Sequence, residues 1–322
     1  MTTETKTMTR SEAAAAPGGL GKRIYAMLSA IPTGILWLLV VIWSIPTIGL
    51  LVNSFRTRDA QAASGWWEAF RDVDGLSLQN YADVMAAQVG GGVANALLNS
   101  LAIAIPATII PIAIAAFAAY AFAWMEFKGR EWLFIATVSL LAIPLQTSLI
   151  PLLQLYAGGG HWTIPFIGKT ITFFPDLDLA GTVTAVWLTH TGFGLPFAIF
   201  LLHNYISGLP KDVFESARID GADHFTFFWR LVVPLSVPVL AAFAIFQFLW
   251  TYNDYLIALT MIGGNGEAWP VTIRIASLAG EFGTREHLLA AGAFISTVIP
   301  LIVFFALQRF FVRGILAGSV KG

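Results

Sequence analysis

The sequence predicts an all-α membrane protein built on six transmembrane helices. Two observations carry this. Of the 322 residues, 57% are hydrophobic and only 11% charged, proportions that a soluble domain does not reach. Six stretches also run without any Asp, Glu, Lys or Arg: Arg23 to Arg56, Asp83 to Glu126, Glu131 to Lys169, Asp178 to Lys211, Arg230 to Asp254 and Glu286 to Arg309. Each reaches or exceeds the roughly 20 residues that a helix needs to cross a bilayer core.

The spans are expected at about 33 to 54, 96 to 123, 132 to 157, 180 to 206, 233 to 262 and 288 to 312. Pro46, Pro106, Pro111, Pro144, Pro151, Pro196, Pro238 and Pro300 fall inside them. Neighbouring helices in a bundle satisfy the carbonyls that such prolines free, so kinks rather than breaks are expected.

Orientation follows from the cations. With the N-terminus inside, the cytosolic segments hold Lys6, Arg10, Lys22, Arg23, Lys128, Arg130, Lys211, Arg218, Arg230, Arg309, Arg313 and Lys321. The outer segments hold Arg56, Arg58, Arg71, Lys169, Arg274 and Arg285. That asymmetry favours an N-in, C-in arrangement. Residues 1–23 are polar and rich in Ala and Gly and are read as a flexible cytosolic tail, with 24–322 as the transmembrane domain. The first apolar run is long enough to span and lacks a small-residue cleavage site after it, so no cleavable signal is expected. The net charge of −1 gives no indication of nucleic acid, and none is expected as a partner. Without Cys there are neither disulfides nor thiolate metal sites.

Between the fourth and fifth spans lies a polar island at about 208–232. Asp212 and Glu215 have the spacing of a capping box, for a helix starting near Pro210 to Asp212. Ala217 and Gly221 are four apart, which would leave a small surface on one helical face, and Gly221 also suits a turn. Asp223 is placed to cap a second short helix whose apolar face would be Phe225, Phe228, Trp229 and Val232. Taken alone, such an island reads as an amphipathic hairpin on the membrane surface.

The island carries more than that. Glu215, Ser216, Ala217 and Gly221, followed after nine residues by Leu231 and then Val233-Pro234, resemble the EAA-x3-G-x9-I-x-L-P signature of ABC importer permeases. Leu209-Pro210 precedes it and Arg218-Ile219-Asp220-Gly221-Ala222 extends it; Ser for Ala and Leu or Val for Ile or Leu are small-for-small and apolar-for-apolar departures. Further segments similar to carbohydrate permeases of the maltose type, and within them to α-glucoside permeases, are Gly194-Leu195-Pro196-Phe197, Trp250-Thr251-Tyr252-Asn253-Asp254-Tyr255-Leu256 and the tail Gly314 to Gly322. The resemblance covers roughly residues 33–322.

That resemblance implies a type I ABC importer permease in a bacterial or archaeal cytoplasmic membrane. It would pair with a second homologous permease, two cytosolic ATPase subunits and an extracytoplasmic sugar-binding protein. Glu215, Ser216, Ala217, Asp220, Gly221, Ala222 and Pro234 would form the coupling element for the ATPase. The tail, with Gly318, Ser319 and Lys321, would reach the ATPase interface as a flexible strand, the ordinary alternative being a frayed end. ATP and magnesium would belong to the partner, since no G-x4-G-K-[ST] loop occurs here; Gly158-Gly159-Gly160 and Gly263-Gly264-Asn265-Gly266 lack the Lys-Ser/Thr.

Asp254 is the one formal charge expected inside a span, where a carboxylate needs a polar cavity or a partner. One reading places Gln247, Tyr252, Asn253 and Asp254 on the sugar pathway, with Trp250 or Tyr255 offering an aromatic face; the other has Asp254 held by an inter-helix hydrogen bond. His190, beside Gly192, Gly194 and Pro196, is expected in packing or as a hinge. Asn99-Ser100, Gln146-Thr147-Ser148 and Gln154 are expected to bond helix to helix. No two of His161, His190, His203, His224 and His287 have metal-helix spacing. An ion-coupled carrier or channel is the competing class; it would show more intramembrane charge and need no docking signature. A rhomboid-type protease would require Gly-x-Ser-Gly, which is absent. The segment at about 263–287 is expected outside, touching the binding protein.

Overall fold

A computed structural model describes residues 33–71, 73–86, 92–278 and 285–319, with side chains through Arg309. It falls into two units, residues 1–52 and 53–322. Within the first, α1 (Thr33–Phe55) begins; it carries no charged residue and keeps Pro46 inside the helix.

The second unit is a helical bundle. Its elements are α2 (Arg58–Ala63), a 3-10 turn (Trp66–Phe70), α3 (Gln79–Ala86), α4 (Gly92–Trp124), α5 (Arg130–Ser139), α6 (Leu145–Gly158), β1 (Gly160–Thr163), β2 (Thr170–Phe174), α7 (Val183–Ser207), α8 (Lys211–Ile219), α9 (His224–Phe227), α10 (Val233–Tyr252), α11 (Leu256–Ile262), α12 (Val271–Leu278) and α13 (Glu286–Ser319). Among the described residues five helices are long and apolar enough to cross a membrane, and six spans result if the bent pair α5 and α6 is counted as one.

Helix α4 is the spine, packed along α7 and α10, and α10 packs in turn on α13. The reason lies in the side chains α4 presents. Ala96, Ala104, Ala107, Ala115 and Ala119 are fully buried, with Ser100 beside them, and this stripe lets neighbouring backbones approach closely. Between helices in lipid such packing, not water exclusion, is what holds the bundle.

Two expected spans differ. The third is broken, its halves Arg130–Ala142 and Leu145–Gly158 meeting at 101°. Pro144 fixes its own φ at −63° and Ile143 before it is extended, because the residue preceding proline is sterically driven out of the helical region. The other six prolines of the expected set that lie in spans, and Pro151 within α6, remain inside helices. The fifth span, expected to run through 262, ends at Tyr252; after Asn253 to Tyr255 the chain restarts as α11. Asp254 therefore sits at a helix break, not inside a continuous span.

Other segments were not foreseen. Strands β1 and β2 form an antiparallel hairpin beyond α6. The segment after α11 is tied to α4: Asn95 and Asn99 amides donate to the carbonyl oxygen of Glu267, and Ser100 Oγ accepts from the Val271 amide at 2.9 Å. Asn99 thus holds a loop against α4, whereas Ser100, bonded to the first residue of α12, joins two helices as expected. Arg274 in α12 is buried, with its guanidinium 4.9 Å from the Trp269 ring centre. The tail expected as a flexible strand is helical through Ser319, so Gly318 and Ser319 belong to the last turn of α13. Extending a formed helix needs only propagation, which offsets the poor propensity of its glycines. Lys321 and the tail at 1–23 lie outside the described residues.

Candidate functional site

The island between α7 and α10 folds as a helix-turn-helix. Helix α8 starts at Lys211 with Pro210 at its N-cap, so Asp212 stands in the first turn and no capping box closes with Glu215. What Asp212 contributes is charge near the positive helix end, and its carbonyl accepts from the Ser216 hydroxyl at 2.8 Å. At the other end Gly221 has φ +80°, its amide bonds the Arg218 carbonyl and the Ala222 amide bonds that of Ala217, both at 3.0 Å. This is a Schellman motif, for which a left-handed residue is required and glycine is the least strained. The signature glycine is therefore a helix terminator, beyond the face of Ala217. Asp223 caps α9 as expected, accepting from the Thr226 amide at 2.8 Å. Its bonds from Thr226 hold the carboxyl below the usual carboxylate range.

One aromatic side chain fixes the island to the bundle. Phe214 is buried between the Trp124 indole and the Phe227 ring. Trp124 Nε1 also donates to the Ile206 carbonyl at 3.2 Å, and the Tyr120 hydroxyl meets His224 Nδ1 at 2.7 Å. Phe227, Phe228 and Val232 turn inward, whereas Phe225 and Trp229, expected on that face, are largely exposed. A π-helical turn, Phe228–Val232, precedes α10. Pro234, in the first turn of α10, has no N–H to donate, and the widened turn accommodates this.

The signature residues thus divide. Ala217 and Ala222 pack against the core, while Glu215, Ser216, Asp220 and Gly221 are exposed on the outward side with Ile219. Trp124, Glu126, Arg130, Lys211, Glu215 and Arg218 line an adjoining crevice of about 280 Å³.

A second cluster lies about the break after α10. The Asp254 carboxylate accepts from the amides of Ile257 (3.3 Å) and Ala258 (2.9 Å), capping α11, and its Oδ2 is 3.5 Å from His190 Nε2. At that separation the two are in electrostatic contact without a formed hydrogen bond. His190 is fully buried, with the Trp250 ring edge-on at 5.0 Å. Gln247 is also fully buried; its amide donates to the carbonyls of Ala107 (3.1 Å) and His190 (3.3 Å), so one side chain ties α10 to α4 and α7. Tyr252 is buried, stacks on Phe248 and donates to the Ser296 carbonyl in α13 at 3.2 Å. Asn253 and Tyr255 are exposed. Trp250 faces a cleft of about 620 Å³ between the third-span break (Leu140 to Leu145) and α7, where Thr189, Gly192, Phe193 and Pro196 form its wall. The structure therefore brings Trp250, His190 and Asp254 together, and puts Tyr252 on the side facing α13. The cleft depends on the break at Pro144, which apolar composition alone does not disclose.

No group of three or more His, Asp and Glu among the described residues is arranged to hold a metal ion.

A bundle of membrane-spanning helices, broken at two spans and carrying a helix-turn-helix with a transport signature at one end, defines a membrane transport subunit. The family model described as "Binding-protein-dependent transport system inner membrane component" matches residues 109–317, and the chain belongs to that family. It is 52% identical to the osmoprotective compounds uptake permease protein GgtD of Synechocystis, over 87% of this chain and 88% of that one. It is 41% identical to the alpha-glucoside transport system permease protein AglG of Rhizobium meliloti, over 88% of this chain and 95% of that one. Its fold is shared with a subunit of the bacterial alginate ABC transporter solved with an alginate pentasaccharide-bound periplasmic protein: TM-score 0.62 and 16% identity, over 90% of this chain and 96% of that one.

Proposed function

We propose that this chain is one of two homologous permease subunits of an ATP-driven importer that passes a sugar, of the α-glucoside or short oligosaccharide class, from an extracytoplasmic binding protein into the cytosol. The substrate class rests on the relatives, one named for α-glucosides and one for osmoprotective compounds. The mechanism rests chiefly on one observation: a short helix carrying Glu215, Ser216, Asp220 and Gly221 outward, pinned to the bundle through Phe214.

In this reading α8 fits a cleft on a cytosolic ATPase subunit, where ATP and magnesium are bound. Closure of the ATPase pair shifts the permeases between inward- and outward-facing states. Movement of α8 reaches α4 through the Phe214–Trp124 stack. The cleft beside Trp250, with Asp254 and His190 behind it, is the sector of the translocation path this chain supplies. Asn253 and Tyr255 are exposed at the helix break that follows Trp250, and Gln247 ties α10 to the α7 wall. The chain lies N-in, C-in, and the end of α13 approaches the ATPase interface.

The test is uptake of a radiolabelled α-glucoside into proteoliposomes holding both permeases and the ATPase subunits. Uptake is expected only with internal ATP and external binding protein. Uptake driven by an ion gradient without ATP would instead establish an ion-coupled carrier.

A further inference from the structure

The β1–β2 hairpin has two unlike faces. Register pairs His161 with Thr172, Trp162 with Ile171 and Thr163 with Thr170. On one face the polar side chains satisfy each other: His161 Nδ1 meets Thr172 Oγ1 at 3.0 Å, and Thr163 Oγ1 meets Thr170 Oγ1 at 2.9 Å. The other face carries Trp162, Ile171 and Phe173, and the turn adds Phe166 and Ile167; all five are exposed.

We propose that this apolar face lies in the headgroup layer of the membrane, on the side opposite the 208–232 island. Three features support a lipid surface as its occupant. First, only Gly159 separates the end of α6 from β1, so the hairpin starts at the level where a span leaves the bilayer. A strand of four residues, about 13 Å long, cannot then carry its apolar side chains far from that layer, whose depth is about 5 to 7 Å on each side. Second, Lys169 is the only residue with a formal charge between Glu131 and Asp176, so the face lacks the polar rim of a protein-docking surface. Third, Trp and Phe at the end of a span are the residues that settle at this interface, and lying flat leaves the Thr and His face to water. The apolar face is then continuous with the lipid-facing surface of the spans. The hairpin anchors the outer half of the broken third span, α6, at the end away from the bend at Pro144.

This rests on the membrane assignment and not on the substrate. The absence of Cys makes single-cysteine variants direct. Nitroxide labels at Phe166→Cys in the turn and at Trp162→Cys in β1 would be compared with Thr170→Cys in complete importer reconstituted in nanodiscs. Oxygen, which concentrates in lipid, is expected to relax labels 166 and 162 more than a water-soluble nickel chelate does, with the order reversed at 170. Preference for the nickel chelate at 166 and 162 would overturn the proposal. So would shielding from both reagents, the signature of a second permease, or a loss of oxygen access only after the binding protein is added.

Discussion

The Phe214 and Trp124 rings stack with centres 3.9 Å apart and planes inclined by only 13°. Trp124 is the last residue of α4, so the island is registered against the spine of the bundle and not merely against the two helices it connects. Phe214→Ala should cost about 3 to 5 kcal/mol of local stability, the usual loss for a buried aromatic, and should uncouple ATP hydrolysis from uptake while the spans still insert. Phe214→Tyr should retain most coupling. Coupled uptake at the parental rate by the Ala variant, measured in proteoliposomes, would remove the stack from the transmission path.

At Gly221 an added β-carbon would meet nothing within 4 Å, so the obstacle within this chain is the φ of +80°. Gly221→Ala is expected to destabilise the turn by about 1 to 2 kcal/mol. Gly221→Asn should cost less, because Asn tolerates the left-handed region. Gly221→Leu should also block ATPase docking. Co-purification of the ATPase separates these effects: Ala and Asn variants retain it, and Leu loses it.

The two roles open to Asp254 are separable by substitution. Asparagine caps a helix about as well as aspartate, whereas alanine forfeits about 1 kcal/mol. Asp254→Asn is therefore expected to preserve thermal stability and uptake, with Asp254→Ala lowering both. Abolished uptake in the Asn variant at unchanged stability would assign the carboxylate charge to the substrate path.

Glu267 is exposed in the segment that packs on Asn95 and Asn99. A cysteine placed there should react with an impermeant maleimide from outside intact cells only. Labelling restricted to inside-out vesicles would reverse the N-in, C-in topology.

Removal of residues 318–322 trims the end of α13 without touching the packed span. Sugar-stimulated ATPase activity and uptake should fall while the complex still assembles. Unchanged activity of the truncated, reconstituted importer would make the tail a frayed end.

The charge-free runs made the spans legible, because a bilayer imposes that requirement on sequence directly. Signature spacing likewise disclosed the island. Less legible was which proline breaks its helix: Pro106, Pro111 and Pro196 sit inside continuous helices and Pro144 does not, although all carry the same steric restriction. Phe214 gave little warning, since it is one of several apolar residues in α8, with Val213 and Ile219, and nothing marks it out until Trp124 is found beside it. The hairpin did leave a signal, in the alternation of Trp162 with His161 and Thr163 and of Ile171 with Thr170 and Thr172. The neighbouring apolar span masked it. Capping residues behaved unevenly: Asp223 caps α9, whereas Pro210 displaced Asp212 from the equivalent role.

A β-carbon at Gly194 would stand 2.7 Å from both amide heavy atoms of Gln247, the side chain that bonds α4 and α7 at once. For heredity, position 194 is tied to 247: a side chain can arise at 194 only where the Gln247 amide has moved aside or given way to something smaller. A chimaera that brings in an α7 with a larger residue at 194 must therefore carry a matching α10 along with it.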